Sequence, residues 1–228
     1  MATTALALKS VLTRIGQRTP VRLVHSLNAT VNYLEVGRWM RVHGFDIPRR
    51  RWTREDVFED LAERIRDMPV LYLEFGVYRG DSMRYWSRTL RHPNARLHGF
   101  DSFLGLPEKW NSFVGSGHFS TDGVIPIIDD SRVEFFPGWI EETLRGYKFP
   151  DYQNLVLMVD VDLYSATAFI LETLAERIRP GTFLYFDDLS DRNHQLRAFD
   201  QYLSKHASKF SLISATQALS HSAFECIG

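Results

Sequence analysis

The chain is poor in cysteine: Cys226 is the only one among 228 residues. That excludes an internal disulfide and any zinc site built from several thiolates, and it suits a reducing compartment. Long hydrophobic runs are missing too, since no apolar stretch reaches the roughly 18 residues that span a bilayer. There is no surplus of one charge; the formal net charge is −1, so the overall balance does not draw the protein to nucleic acid. A cytoplasmic protein with no membrane span and no nucleic-acid partner is expected. The last shortage is local. From Met1 to Leu34 there is no acidic residue, whereas Lys9, Arg14, Arg18 and Arg22 are basic.

In that basic start, Leu8, Val11, Leu12 and Ile15 fall at i, i+3, i+4 and i+7, the spacing of an amphipathic helix. Such a segment can be an organelle transit peptide or a membrane-surface helix. The reading adopted is a helix that packs on the domain or on a second subunit, because apolar residues continue through Val31, Leu34 and Val36 with no small-residue cleavage site.

What is present is a composition ordinary for a globular protein, 44% hydrophobic and 24% charged, in a chain long enough for one large α/β domain with a helical extension. Residues 1–68 read as that extension, punctuated by Pro20, Gly44 and Pro48. Thr53-Arg-Glu-Asp56 spells a capping box in its Asp variant, and Val57, Phe58, Leu61 and Ile65 mark the buried face of the helix it starts. The triplet Arg49-Arg50-Arg51 reads as a solvated turn, with a phosphate-binding patch as the alternative.

Residues 69–228 read as a second unit in which strands and helices alternate. Strands are expected over 70–75, 96–100, 133–136, 155–159 and 182–186, with helices over 83–90, 141–144, 166–178 and 193–206. Two last strands, 210–213 and 223–227, are expected to pair antiparallel. This alternation predicts an α/β fold with a mostly parallel sheet covered on both faces. The stretch from Ser102 to Asp130 stands apart as a long glycine-rich loop carrying Phe103, Trp110, Phe113 and Phe119, which reads as a lid.

The most informative segment is Leu73-Glu-Phe-Gly-Val-Tyr-Arg-Gly-Asp-Ser82. An apolar strand with Glu74 near its end runs into Gly76 and Gly80 and then a helix, the order that makes a nucleotide-type pocket. The two glycines would let backbone approach a ligand closely. Tyr78 occupies the place of the second glycine of a dinucleotide fingerprint, and Glu74 is negative where a pyrophosphate would need room. The turn therefore suits a ligand without phosphates and with a cationic part, such as S-adenosylmethionine (SAM); an ordinary strand–helix connection is the bland alternative. Asp101 ends the next strand, where an acidic residue commonly accepts from ribose hydroxyls, although Asp101-Ser102 would also cap a turn.

A second constellation is acidic. Asp160 and Asp162 follow one buried strand, Asp187 and Asp188 another. If those strands are neighbours, four carboxylates meet on the same edge as the glycine turn. Oxygen-only donors suit a hard cation, Mg2+ or Ca2+, which could hold vicinal hydroxyls of a substrate while a carboxylate takes the proton. Some of these residues could instead cap turns, as Asp191 is expected to do. His118 and His194 are weaker candidates for a base, Tyr164 for a ligand contact, and Cys226 reads as inert core.

Taken in order, Leu73–Ser82, Gly99-Phe-Asp-Ser-Phe-Leu-Gly-Leu-Pro107, Gly138-Trp139 with Thr143-Leu144, Asp160-Val-Asp-Leu-Tyr164 and Phe186-Asp-Asp188 resemble the macrocin O-methyltransferase family. These are class I SAM-dependent enzymes that methylate sugar hydroxyls in antibiotic biosynthesis. The resemblance covers roughly residues 70–190. It implies a Rossmann-like class I methyltransferase fold with a seven-stranded sheet, SAM as cofactor, Mg2+, and a small-molecule acceptor bearing hydroxyls. It further implies that Glu74 and Gly76 line the methionine end of SAM with Tyr78, Gly80 and Ser82 nearby, and that Asp101 holds the ribose beside Ser102. Gly138 and Trp139 would lie near adenine, Asp160, Asp187 and Asp188 would be Mg2+ ligands, and Asp162 the general base. Family members use the N-terminal region for lids and dimer contacts, which admits a homodimer here. Gly117-His118-Phe119 departs from the family, which often has an acidic residue between the glycine and the phenylalanine, so a macrolide or coumarin sugar acceptor does not follow. Two rival readings are a catalytically silent binding module on this fold and a nicotinamide-dependent oxidoreductase.

Overall fold

The computed structural model describes residues 2–228. Two helices come first, α1 (Ala2–Gly16) and α2 (Val21–His43). Pro20 stands before the first turn of α2, where its missing N–H leaves no helix bond unmade. Gly44 ends the helix in the left-handed conformation, with φ 70°, as helix-terminating glycines do. The apolar stripe of α1 exists but stays open: Leu8, Val11, Leu12 and Ile15 are 61%, 53%, 56% and 58% exposed. Packing of α1 on its own domain is therefore not what the structure has. The longer α2 makes the attachment instead. Its Trp39 Nε1 donates to Asp200 Oδ1 at 2.9 Å, and its Asn32 clasps the 190–192 backbone, donating to Ser190 O at 2.7 Å and accepting from Arg192 N at 3.0 Å.

The sheet contains β1 (Arg50–Arg51), β2 (Val70–Phe75), β3 (Arg96–Asp101), β4 (Val133–Pro137), β5 (Asn154–Val159), β6 (Phe183–Phe186), β7 (Phe210–Thr216) and β8 (Ser222–Cys226). Their order is β1-β7-β8-β6-β5-β2-β3-β4. All pairs are parallel except those of β8, which runs antiparallel to β6 and β7. Eight strands stand where seven were expected. The addition is the two-residue β1, which pairs with the end of β7 through Arg50↔Ala215 and Arg51↔Thr216, where the sequence reads as a turn in the helical extension.

The reason lies in α3 (Arg54–Ile65). Asp60 is 1% exposed on its inner face, and a buried carboxylate needs cationic partners. Arg49 Nη1 reaches Asp60 Oδ1 at 2.9 Å, and Arg51 Nε reaches Oδ2 at 2.7 Å. Those ion pairs hold the arginine segment extended along the sheet edge. The solvated-turn reading of the triplet is thus corrected, and the phosphate-patch alternative falls with it, because two of the three guanidiniums are already neutralised. The capping box forms as spelled: Asp56 N donates to Thr53 Oγ1 at 3.2 Å and Thr53 N to Asp56 Oδ2 at 3.1 Å.

The remaining helices are α4 (Asp81–Thr89), α5 (Ile140–Gly146), α6 (Tyr164–Thr173) and α7 (Gln195–His206). The helix expected to run to Ile178 stops at Thr173 and continues as one tighter turn, Ala175–Arg177. β2 is buried along its whole length. Leu71, Leu73 and Phe75 pack with residues of α2, α5, α6 and α7. Val70 and Tyr72 pack on the other side, with α3 and α4. A strand covered on both faces reads as a continuous apolar run, which is why β2, β5 and β6 are so plain in the sequence. Because β2 lies between β5 and β3, the chain leaves it in opposite directions on the two sides. The crevice beyond such a switch point is where ligands bind in open α/β sheets.

Candidate active site

At the carboxyl end of β2 the strands are laced together. Gly76 N–H donates to Phe100 O at 3.0 Å, and Asp160 N–H to Phe75 O at 2.8 Å. Gly76 has φ +88°, and a Cβ there would sit 1.8 Å from the Asp160 carbonyl oxygen. Gly80 has φ +78°, and a Cβ on it would come within 2.9 Å of the Pro126 ring. Both glycines let the turn pass its own neighbours, which is a nearer reason for them than the approach of a ligand. Tyr78 between them is left-handed without being glycine, with φ 51°, and its ring meets Phe119 edge-on at 5.7 Å.

Asp101 organises this turn. Its Oδ2 accepts from the amides of Val77 and Tyr78, both at 2.8 Å, and its Oδ1 from Phe103 N at 2.7 Å. One carboxylate thus ties the glycine turn to the start of the lid. Oδ1 keeps a second lone pair, and the residue still lines the cleft, so the ribose expectation and the turn-cap alternative are compatible. Ser102 beside it closes a small turn, accepting from Leu104 N at 3.1 Å. Gly138 N–H donates to Asp101 O at 3.0 Å and presents Trp139 and Ile140 to the cleft.

Glu74 is placed differently from the expectation. It is 1% exposed and lies beneath the first turn of α4, where its Oε2 accepts from Tyr72 OH at 2.7 Å and from Ser82 Oγ at 3.1 Å. Burial pushes its carboxyl up to about 8, despite both hydrogen bonds. Glu74, Gly80, Ser82 and Gly138 do not line the cleft. Gly76, Tyr78, Asp101, Ser102 and Trp139 are on its surface, together with Asp160, Asp162, Asp187 and Asp188.

That cleft encloses about 300 Å³, within reach of a small organic ligand. The four aspartates meet because β5 and β6 are neighbours, with Val159 paired to Phe186. Buried Gln195 fastens the two strand ends, accepting from Asp188 N at 3.0 Å and donating to Val159 O at 3.3 Å. Asp162 has φ 58° and lies close enough to Asp188 to feel its charge. Burial, then the Asp188 charge, pushes Asp162 up to about 8. Burial and the charges of Asp187, Asp162 and Asp188 push Asp160 well above the carboxylate range. Asp187 goes the other way: burial alone would raise it, but His221 Nδ1 at 3.1 Å and Tyr185 OH at 2.8 Å hold it below its usual value. Like charges this close raise one another unless a cation intervenes.

The lid expectation can be followed residue by residue. Leu106 and the 117–118 backbone exchange hydrogen bonds of 2.8 and 2.9 Å, and Gly105 is required there, since a Cβ would lie 2.4 Å from the His118 carbonyl oxygen. Trp110 and Phe119 line the cleft. Trp110 Nε1 donates to Asp191 Oδ2 at 3.3 Å, and Ser165 Oγ to Glu108 at 2.8 Å, so the loop is folded over the aspartates. His194 is used locally, its Nδ1 accepting from Tyr164 N at 3.1 Å, and His118 is exposed. Cys226 is buried in β8. Sequence reasoning missed Arg54 and His221. Arg54 lines the cleft, with Nη1 3.7 Å from Asp187 Oδ1 and 3.9 Å from Asp160 Oδ2. Nothing local marks either residue; the only available signal was that Arg54 follows a helix cap.

The donor set suits a hard cation, since it offers carboxylate oxygens alone. Among the described residues, however, no three such side chains converge tightly enough to form a finished metal cage. No helix among them is long and apolar enough to cross a membrane.

Comparison with known proteins shows the family and the fold. The family model of Macrocin-O-methyltransferase (TylF) matches residues 21–217. A tetracenomycin-C derivative 4'-O-methyltransferase of Streptomyces olivaceus, which acts on the 8-demethyl-8-(2,3-dimethoxy-alpha-L-rhamnosyl) compound, is 33% identical, the match covering 51% of this chain and 51% of that protein. Mycinamicin III 3''-O-methyltransferase of Micromonospora griseorubida is 32% identical over 40% of this chain and 33% of its own length. The chain spans about half, or less, of the length of these curated relatives. Among solved structures, the O-methyltransferase NovP is 19% identical with a TM-score of 0.56, covering 89% of this chain and 99% of NovP. The calicheamicin methyltransferase CalS11 is 17% identical with a TM-score of 0.55, covering 95% and 90%. A Mg-SAM form of cmcI is 14% identical with a TM-score of 0.51, covering 76% and 71%. The architecture is that of the class I methyltransferases, and with the family model matched over residues 21–217 the chain belongs to the macrocin O-methyltransferase family.

Proposed function

We propose that this chain is a SAM-dependent O-methyltransferase that methylates a hydroxyl of a sugar or similar vicinal-diol small molecule in natural-product biosynthesis, with help from Mg2+. The observation that carries the reading is one cleft in which a glycine turn secured by Asp101 faces four strand-end aspartates. Family membership and the sugar O-methyltransferases among the curated relatives support it, and so does the Mg-SAM form of cmcI.

In this reading the adenosine lies along the Asp101–Ser102 strand end, against Trp139 and Ile140. The methionine end points toward Gly76 and Tyr78, above buried Glu74. Bound SAM would supply an electrophilic methyl group, and a divalent ion held by Asp160, Asp187 and Asp188 would acidify the acceptor hydroxyl. The chain's own part is orientation and proton removal. Trp110 and Phe119 of the lid exclude water over the cleft, and Asp162 takes the hydroxyl proton. Positive charge near the aspartates lowers Asp162 into the range where it is an ionised base at neutral pH. Holding donor and acceptor in line supplies most of the rate enhancement. The open apolar stripe of α1 is where we would place a second copy in a homodimer.

Calorimetric titration with S-adenosylhomocysteine, in Mg2+ and again in EDTA, tests the cofactor half. Micromolar binding in both media supports the pocket. Absence of binding in both would return the chain to a catalytically silent module on this fold.

A further inference from the structure

Arg54 is the least expected group in the cleft. It opens α3 directly after the Thr53 cap, and its guanidinium lies 5.5 Å from the centre of the Phe58 ring, one helical turn on. From there Nη1 stands between two strand ends, 3.7 Å from Asp187 Oδ1 and 3.9 Å from Asp160 Oδ2. Neither distance is a hydrogen bond. Elsewhere in the same chain an arginine that serves a buried carboxylate closes on it fully: Arg49 and Arg51 grip Asp60 at 2.9 and 2.7 Å.

A cation between two carboxylates, near both and bonded to neither, is held by charge and not by a fixed fork geometry. Its stacking partner is Phe58, on its own helix, so the side chain has an anchor that survives movement away from the aspartates. Asp187 Oδ1 is also engaged by His221 and Tyr185, so Arg54 shares one of its two carboxylates with other partners while its Nη1 stays within 4 Å of both.

We infer that Arg54 is the resident counter-cation of the Asp160–Asp187 pair, and that a divalent ion enters the cluster in competition with it. The inference rests on the divalent-ion reading above. Arg54 thereby sets how tightly this chain holds its metal, and it keeps the aspartates from repelling one another when no ion is present. It is a positioning residue, acting through the carboxylates.

The test is direct binding of Mn2+, followed by electron paramagnetic resonance of the free ion, to the intact chain and to Arg54→Met and Arg54→Gln. Removing one positive charge this close is expected to tighten Mn2+ binding on the order of tenfold. The rise in melting temperature on adding Mg2+ should likewise be larger in both variants than in the parent. The Gln variant keeps a polar side chain at the helix start, so one folded variant is available if the Met variant is unstable without ion. Equal or weaker Mn2+ binding by the variants, with the parent binding normally, overturns the competition and leaves the metal reading standing. No Mn2+ binding by any of the three proteins removes the metal reading itself, and the inference with it.

Discussion

The backbone of Asp160 passes so close to Gly76 that a Cβ on the glycine would lie 1.8 Å from the Asp160 carbonyl oxygen. The glycine turn at the cleft and the strand end that carries the acidic cluster are thus one packed unit. Gly76→Ala must both move β5 and hold alanine at φ +88°. We expect a loss of about 2–4 kcal/mol from overpacking and backbone strain, read as a lower urea midpoint, with S-adenosylhomocysteine binding weakened as well. An unchanged midpoint would show that the two segments separate without cost.

Asp101→Ala removes an acceptor shared by three backbone amides, those of Val77, Tyr78 and Phe103. The amides of a partly exposed turn regain some water, so the expected cost is about 1–3 kcal/mol. Hydrogen exchange at Val77 and Tyr78 should accelerate more than exchange in the middle of β2. Uniform acceleration across the sheet would argue against a local organising role.

Asp162→Asn keeps the shape of the side chain and removes its capacity to accept a proton. Turnover is expected to fall by roughly 10²–10⁴, while S-adenosylhomocysteine binds as before. Full activity in the variant would reassign the base.

Glu74 gives the protein a pH dependence in the alkaline direction. Its folded value, about 8, lies above the unfolded 4.5, so the folded state holds the extra proton between those limits. Stability then declines as pH rises from about 4.5 to about 8 and changes little beyond, as far as this group is concerned. Glu74→Gln should flatten that slope in thermal melts of the ligand-free protein. A slope identical to the parent's would place its origin elsewhere.

Asp60 works at the acid end with the opposite sign. Burial alone would raise it, but the Arg51 and Arg49 hydrogen bonds bring it down from 3.8 to about 2. Its contribution is complete above pH 4 and is lost as pH falls toward 2. Because both arginines are about half or a third exposed, we expect about 1–2 kcal/mol after screening. Asp60→Asn should be less stable than the parent at neutral pH and lose less on acidification. Parallel acid curves would mean that the pairs contribute nothing measurable.

The sequence alone determined the order of the strands and helices from Val70 onward, the capping box at Thr53, and the acidic residues at the ends of β5 and β6. These are signals of short range. A buried strand is a run of apolar residues, a cap is a pattern over four positions, and Asp101 or Asp187 is visible as the polar residue that stops a run. Tertiary structure decided what each of them meets. Arg50–Arg51 became a strand because Asp60, on the next helix, is buried and draws in Arg49 and Arg51. Gly76 is glycine because of the Asp160 carbonyl just past β5, and Glu74 sits under α4 instead of on the cleft surface. Arg54 and His221 reach the aspartates from opposite ends of the chain. Periodicity reports which face of an element is buried, not which distant element covers it, and the charges that decide this site come together only when the sheet has closed.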